Sequence, residues 1–382
     1  MKLTIRAALR GSLCAAALVA GFSGSAGAAE CLLDTNDNGV VDAADTDGGA
    51  TSGNEASRLA CGQNAKADSA DSIAIGREAY AGYGIFGNVA AISVGRNSRA
   101  VGARSLAIGT DGDANGVGAN ALGNDSIALG TDAKAVDDEG VAIGHGALVG
   151  PRGTAIGTRS NAGSASISIG EASYSNGQGD IAIGLGSSTN HALSGGHGTI
   201  AIGQNASSSG FGGIAMGQEA ESDSSIAIGD RSKSDFLGLA IGKGANAYFV
   251  GTAISNNAVA GAISALAIGN SAIIEFNADR AIALGTNAHV NPAAEDAIAV
   301  GSDSVAGAKT SIAIGTGALT AGSGSIAIGG DLHANGEGAR AGGLYGLAIG
   351  ADATISNNFA LAIGSVSKSS GEYAIALGTG AI

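Results

Sequence analysis

The sequence predicts an all-β solenoid, and three observations predict it. First, 67 of the 382 residues are Gly, aromatics make up 3% and Trp is absent; the usual Gly share is roughly 7%. Second, a pentapeptide of the form Ser-Ile-Ala-Ile-Gly recurs between Ser72 and Gly378, most often at a spacing of 14 residues. Third, charged residues are 14% and Pro only two, which argues against a charge-driven disordered chain, a collagen-like chain and a Pro-rich linker. A conventional globular enzyme of this length would need more large side chains to fill its core. A short fixed period carried over most of a chain means stacked coils.

Residues 1–28 read as a secretory signal peptide. Lys2, Arg6 and Arg10 supply the positive region, Leu13 to Phe22 is apolar, and Ala26-Gly27-Ala28 offers a small-residue cleavage site. The apolar run is shorter than the ~20 residues a spanning helix needs, and Leu13 before Cys14 is not a lipoprotein signal. Processing removes three basic residues and no acid, leaving 16 Lys/Arg against 33 Asp/Glu, a net charge of −17. So acidic a surface repels phosphate backbones and argues against a nucleic-acid partner.

Residues 29–71 form a Cys-flanked segment rich in Asp, Asn and Gly. Cys31 and Cys61 are an even pair in an exported chain, which favours an intrachain disulfide over interchain pairing or free thiols. Within the segment, Asp34, Asn36, Asn38, Asp42 and Asp45 stand at loop positions 1, 3, 5, 9 and 12, with Gly39 at the sharp turn and Val40 able to offer its carbonyl. Calcium takes several oxygens from such a flexible loop, so calcium is the expected cofactor. The run resembles the single loops of dockerin and EF-hand-like sites, with Asp45 in place of the usual Glu. A solvated Asp/Asn/Gly turn is the competing reading.

Residues 72–382 are the repeat region. Well-formed copies include Ser126-Ile127-Ala128-Leu129-Gly130, Ser225-Ile226-Ala227-Ile228-Gly229 and Ser325-Ile326-Ala327-Ile328-Gly329. One copy, Thr252-Ala253-Ile254-Ser255, carries Ser in place of Gly. Ile alternates with Ala or Ser over a short strand, and Gly then releases the backbone into a turn. A second alternation of small residues follows, as at Ala133 and Ala135. Each coil therefore holds two short strands, with an Ile-rich inward row and a small inward row, stacked as parallel sheets. Two Ile per coil do not offset the entropy of ordering its backbone. Self-association is therefore expected, with the small row permitting close approach, and a cyclic homo-oligomer follows.

The repeated Ser-Ile-Ala-Ile-Gly resembles the head repeat of YadA-like trimeric autotransporter adhesins over about residues 72–382. The resemblance implies a homotrimer of left-handed parallel β-rolls on a Gram-negative cell surface or outer membrane, and a non-enzymatic role in attachment. It also implies host matrix proteins, host cells or other bacteria as partners. In the family a neck, a coiled-coil stalk and a barrel anchor follow the head. The last repeat lies next to Ile382, so the expectation is a chain that continues into those parts, with a released head as the alternative. Membrane attachment would come only through such an anchor.

Two other function classes compete. A secreted β-helical carbohydrate-active enzyme would need acids and bases clustered in a groove, whereas the acids here lie singly on turns. An ice- or surface-binding solenoid would need a flat column of identical residues, yet the position after each Gly varies through Arg77, Thr110, His145, Glu171 and Lys243. Gly184-Leu185-Gly186-Ser187-Ser188 reads as coil turns, because no amphipathic helix follows to make a phosphate site. The histidines, His145, His191, His197, His289 and His333, lack partners at ligand spacing. Tyr80, Tyr83 and Phe86 concentrate aromatics in one long coil, either as ligand contacts or as a cap on the first coil.

Overall fold

A computed structural model describes residues 29–31, 46–53, 57–82, 90–190, 198–333 and 335–382. The signal peptide and the loop from Asp34 to Asp45 lie outside the described residues. Among the described residues the chain is a parallel β-solenoid of about 22 turns without a helix, divided into two units, Met1–Gly140 and Val141–Ile382.

One coil shows how the sequence makes the fold. Ile127–Leu129 forms a three-residue strand, Gly130-Thr131-Asp132 a turn, Lys134–Ala135 a second strand, and a further turn through Glu139 leads to the next coil. Gly130 has φ +132°, while Asp132 and Glu139 sit in the left-handed region at +56° and +58°. The Gly must remain Gly for two reasons. Its φ lies where L side chains are strained, and the column is tightly stacked: a Cβ on Gly76 would come 2.7 Å from the carbonyl oxygen of Gly95. Ser255 interrupts that column at φ +113°.

Coils stack in register within each unit. In the second unit Ile181, Ala182 and Ile183 pair with Ile200, Ala201 and Ile202, and Lys233 and Ser234 with Asn246 and Ala247. In the first unit the ladder begins before residue 72. Leu59–Cys61 pairs with Ile73–Ile75, and Ala29–Glu30 pairs with Leu59 and Ala60. Leu59-Ala60-Cys61-Gly62 is thus a copy of the repeat with Cys in the second Ile position, and a disulfide joins Cys61 to Cys31, Cα–Cα 4.7 Å.

The structure reverses the expected facing of the Ile rows. Across the 22 strands of the sheet that runs from Leu59–Cys61 to Ile375–Leu377, here the long strands, the middle residue is Ala in 20 and Ser in two, and all are buried. The flanking Ile and Leu side chains point outward, so that Ala74 is 0% exposed beside Ile75 at 37%. The physical reason is the narrow lumen. Ala128 shares it with Ala133 and Ala135, all fully buried, and an interior packed at crystal density leaves room for methyl groups but not for paired Ile. Two of the larger inward residues sit opposite Gly: a Cβ on Gly153 would meet Val149 Cγ2 at 2.8 Å, and one on Gly346 would meet Ile355 Cγ2 at 3.3 Å.

The lumen also explains the leading Ser of the repeat. Ser126 is buried and its Oγ donates to the Gly123 carbonyl at 2.6 Å, as Ser325 donates to Gly322 at 2.6 Å. A small hydroxyl satisfied by the turn behind it can be buried at little cost. Where the middle Ala becomes Ser, a second lumen Ser pairs with it: Ser93 with Ser98 and Ser168 with Ser173, each 2.7 Å between hydroxyls.

Candidate functional site

A solenoid with a closed lumen acts through its outer surfaces, and the coil presents three. The first is the outward face of the long strands. In the second unit 17 such strands offer 34 outward positions, and all but Thr154 and Thr252 carry Ile, Leu, Val or Met. Exposed members of the columns, among them Ile228, Ile268 and Ile314, stand at 37–38%. A contiguous apolar face of this extent exceeds the few hundred Å² a soluble monomer usually shows, and marks an interaction surface. The small-residue row, expected to be the contact row, lies in the lumen instead, and the Ile columns are the row left on the outside.

The second surface is the outward face of the short strands. Lys134, Asn161, Ser207, Glu221, Lys233 and Asn246 line it. Lys233 Nζ lies 2.9 Å from Glu221 Oε2, and that hydrogen bond and charge raise the ammonium's pKa. A shallow groove of about 360 Å³ runs beside them, lined by Asn205, Glu219, Glu221, Arg231, Ser232 and Lys233. Further along, the face turns half-buried and apolar through Val259, Ile273, Val305 and Leu319, with His289 Nε2 3.3 Å from Glu275.

The third surface is the turn edge that precedes each long strand, where left-handed residues stack coil on coil. Arg104 grips Asp125 through two bonds of 2.6 Å, and Arg280 grips Asp296 at 2.7 and 2.8 Å. The hydrogen bond to the guanidinium, and then its charge, hold Asp125 and Asp296 below the usual carboxylate range, while burial opposes them. Farther on, Tyr345, Phe359 and Tyr373 occupy the same column at φ +52° to +57°. Their rings stack at 5.7 and 5.2 Å and remain exposed. Phe236 and Phe249 stack at 5.2 Å on the same edge. Bulky residues in the left-handed region are strained, and stacking against the next coil offsets part of that cost.

Of the aromatics singled out from sequence, Tyr80 is described and Tyr83 and Phe86 lie outside the described residues. Tyr80 sits half-buried on the short-strand face. Its hydroxyl donates to Asp68 Oδ2 at 3.1 Å, and its ring carries Lys66 Nζ at 5.5 Å and Arg99 Cζ at 6.0 Å from the centroid. It is thus built into a charged surface between coils. The six calcium-loop residues Asp34, Asn36, Asn38, Val40, Asp42 and Asp45 likewise lie outside the described residues. Sequence reasoning passed over the Tyr345, Phe359 and Tyr373 ladder, although the spacing of 14 residues between successive rings signals it.

The family model described as the YadA head domain repeat (2 copies) matches nine stretches: residues 59–79, 88–111, 114–133, 121–147, 194–220, 277–304, 293–318, 306–331 and 356–381. Among solved structures, the collagen-binding domain of the Yersinia adhesin YadA is similar at 32% identity, covering 34% of this chain and 75% of that chain, with a TM-score of 0.30. No curated protein matches.

Proposed function

Since the chain belongs to the family of YadA head repeats, we propose that this adhesin-type head works as a homotrimer at a Gram-negative cell surface, where it attaches the cell to an extracellular-matrix protein of the collagen type. The observation that carries the reading is the apolar outward face of the long strands, on which 32 of 34 positions in the second unit are apolar. Three chains turn these columns toward a common axis and bury them, leaving the polar short-strand face and the turn edges for the partner. Weak contacts repeated along the coils and across three chains add through avidity, so no single residue carries the affinity. Export through residues 1–28 places the head outside the cell, and the loop from Asp34 to Asp45 holds calcium. The collagen assignment follows the similarity to a collagen-binding domain.

Sedimentation velocity of the exported chain tests the assembly, with a trimer mass expected at micromolar concentration. A stable monomer there overturns it. Surface plasmon resonance on immobilised collagen tests the ligand separately. A trimer that gives no saturable collagen signal overturns the ligand assignment and leaves the assembly standing.

A further inference from the structure

Two coils are lengthened in the same way. Gly109 and Gly329 each precede the next column Gly by 21 residues, and the extra residues form loops whose first six residues agree at four positions. The first reads Asp111-Gly112-Asp113-Ala114-Asn115-Gly116, the second Asp331-Leu332-His333-Ala334-Asn335-Gly336. Their hydrogen bonds correspond. Gly116 N donates to Asp111 Oδ2 at 2.9 Å as Gly336 N donates to Asp331 Oδ2. Gly112 N donates to Asp132 Oδ1 and Leu332 N to Asp352 Oδ1, each at 3.1 Å. Each loop is thereby tied to an Asp of the following coil.

They differ at the second residue, Gly112 against Leu332, and at the third, where the chemistry changes. In the second loop His333 Nδ1 bonds Asp352 Oδ2, so an imidazole meets the carboxylate of the next coil. In the first loop that residue is Asp113, and the carboxylates of Asp111, Asp113 and Asp132 converge, with one oxygen from each within 4.8 Å of the others. Asp113 accepts from Asn115 through both oxygens, at 3.2 Å from the backbone N–H and 2.9 Å from Nδ2. Arg96 bonds the Asp111 carbonyl rather than its carboxylate.

A second observation points to a ligand. Asp111 is 4% exposed, and its Oδ1 is buried without a hydrogen-bond partner. Asn97, which donates Nδ2 to Asp111 Oδ2 at 2.8 Å, is 7% exposed, and its Oδ1 is also buried and unpartnered. A buried carboxylate oxygen without a donor is costly unless a cation meets it. The Asp111 carboxyl is held below its ordinary range by the Asn97 amide first, then the Gly116 N–H, the Arg96 charge and the Ala114 N–H, against burial. All side-chain donors at the site are hard oxygens, two from the loop and one from the next coil, the set that suits calcium rather than zinc or copper.

We propose that Asp111, Asp113 and Asp132 bind a calcium ion that pins the loop 110–118 to the next coil, and that in the sister loop the hydrogen bond of the His333 imidazole to Asp352 makes the corresponding tie. The donors still needed come from loop carbonyls and water. The inference is independent of the adhesive role.

Exchanging the third residue between the two loops tests it in the full exported chain. Calcium chloride is titrated by calorimetry after chelator treatment, and equivalents bound per chain are counted. Asp113→His is expected to lose one equivalent relative to the unaltered chain, and His333→Asp to gain one. Any calcium held between Asp34 and Asp45 contributes equally to all three proteins and drops out of the difference. Because one arm is a gain, it keeps the proposal open to refutation even if Asp113→His fails to fold. An Asp113→His variant that retains its full number of equivalents, or a His333→Asp variant that gains none, overturns the proposal.

Discussion

The long-strand face and the short-strand face of the solenoid come from the same coil, alternate with the same period and cover the same Ala-filled lumen, yet they present opposite chemistry. Outward positions on the long strands are Ile, Leu, Val or Met almost throughout, whereas the short strands offer Lys134, Asn161, Glu221 and Asn246 and turn apolar further along, at Val259, Ile273, Val305 and Leu319. In an ordinary half-buried sheet the large apolar row specifies the core. Here methyl groups fill the core, and the large apolar row is left on the outer surface, where the proposed trimer would bury it.

Charge placed on each face in turn gives the largest expected effect. Ile312→Lys with Ile314→Lys puts two charges on one long strand, which the proposed trimer would have to bury unpaired, at a cost of several kcal/mol. Sedimentation should then show monomer. The matched change on a short strand, Ser207→Lys with Ser209→Lys, sets its charges opposite Glu221 and Asp223 and should leave the assembly intact. Equal behaviour of the two variants would break the comparison.

Next in size is the turn that holds the two sheets back to back. Gly285→Val adds a branched side chain at φ +136° with its Cβ 2.5 Å from the Gly301 carbonyl oxygen, and should destabilise the fold by about 3 kcal/mol or more. Ser255 occupies the same column without being Gly, so Ser255→Gly should stabilise by about 1 kcal/mol. Thermal unfolding of both variants checks the opposite signs; a neutral Gly285→Val would mean that the column tolerates Cβ atoms.

The smallest effect belongs to the turn edge. Asp125 and Asp296 are lowered in the folded state by Arg104 and Arg280, so their contribution is fully present above the unfolded carboxylate pKa. It is lost as pH falls through the lowered folded values. Both pairs are exposed, and exposed pairs contribute little. Arg280→Gln with Asp296→Asn should therefore narrow the melting-temperature difference between pH 7 and pH 3 slightly. A wider difference would contradict that sign.

The period, the Gly column and the two-strand coil were legible because each is a local demand: Gly where φ is positive, alternation where the backbone is extended. Which row faced inward was not legible, because strict alternation of Ile with Ala has the same period whichever side is buried. The first-unit coil at Leu59-Ala60-Cys61-Gly62 hid behind a Cys in an Ile position. The loop at Asp111 hid in a coil of 21 residues, and its acids converge only when the next coil delivers Asp132 beside them. Tyr80 stood out as a rare aromatic, but its contacts with Lys66, Asp68 and Arg99 depend on stacking register.

By itself the sequence determined that this protein is a β-solenoid of glycine-closed coils, since a repeating backbone constraint is written into every copy. Tertiary structure alone decided that Ala fills the lumen and Ile the outside, because the width of the lumen is set by two sheets packing together. It likewise decided which turn residues meet, because contact between coils depends on register, which no single coil contains.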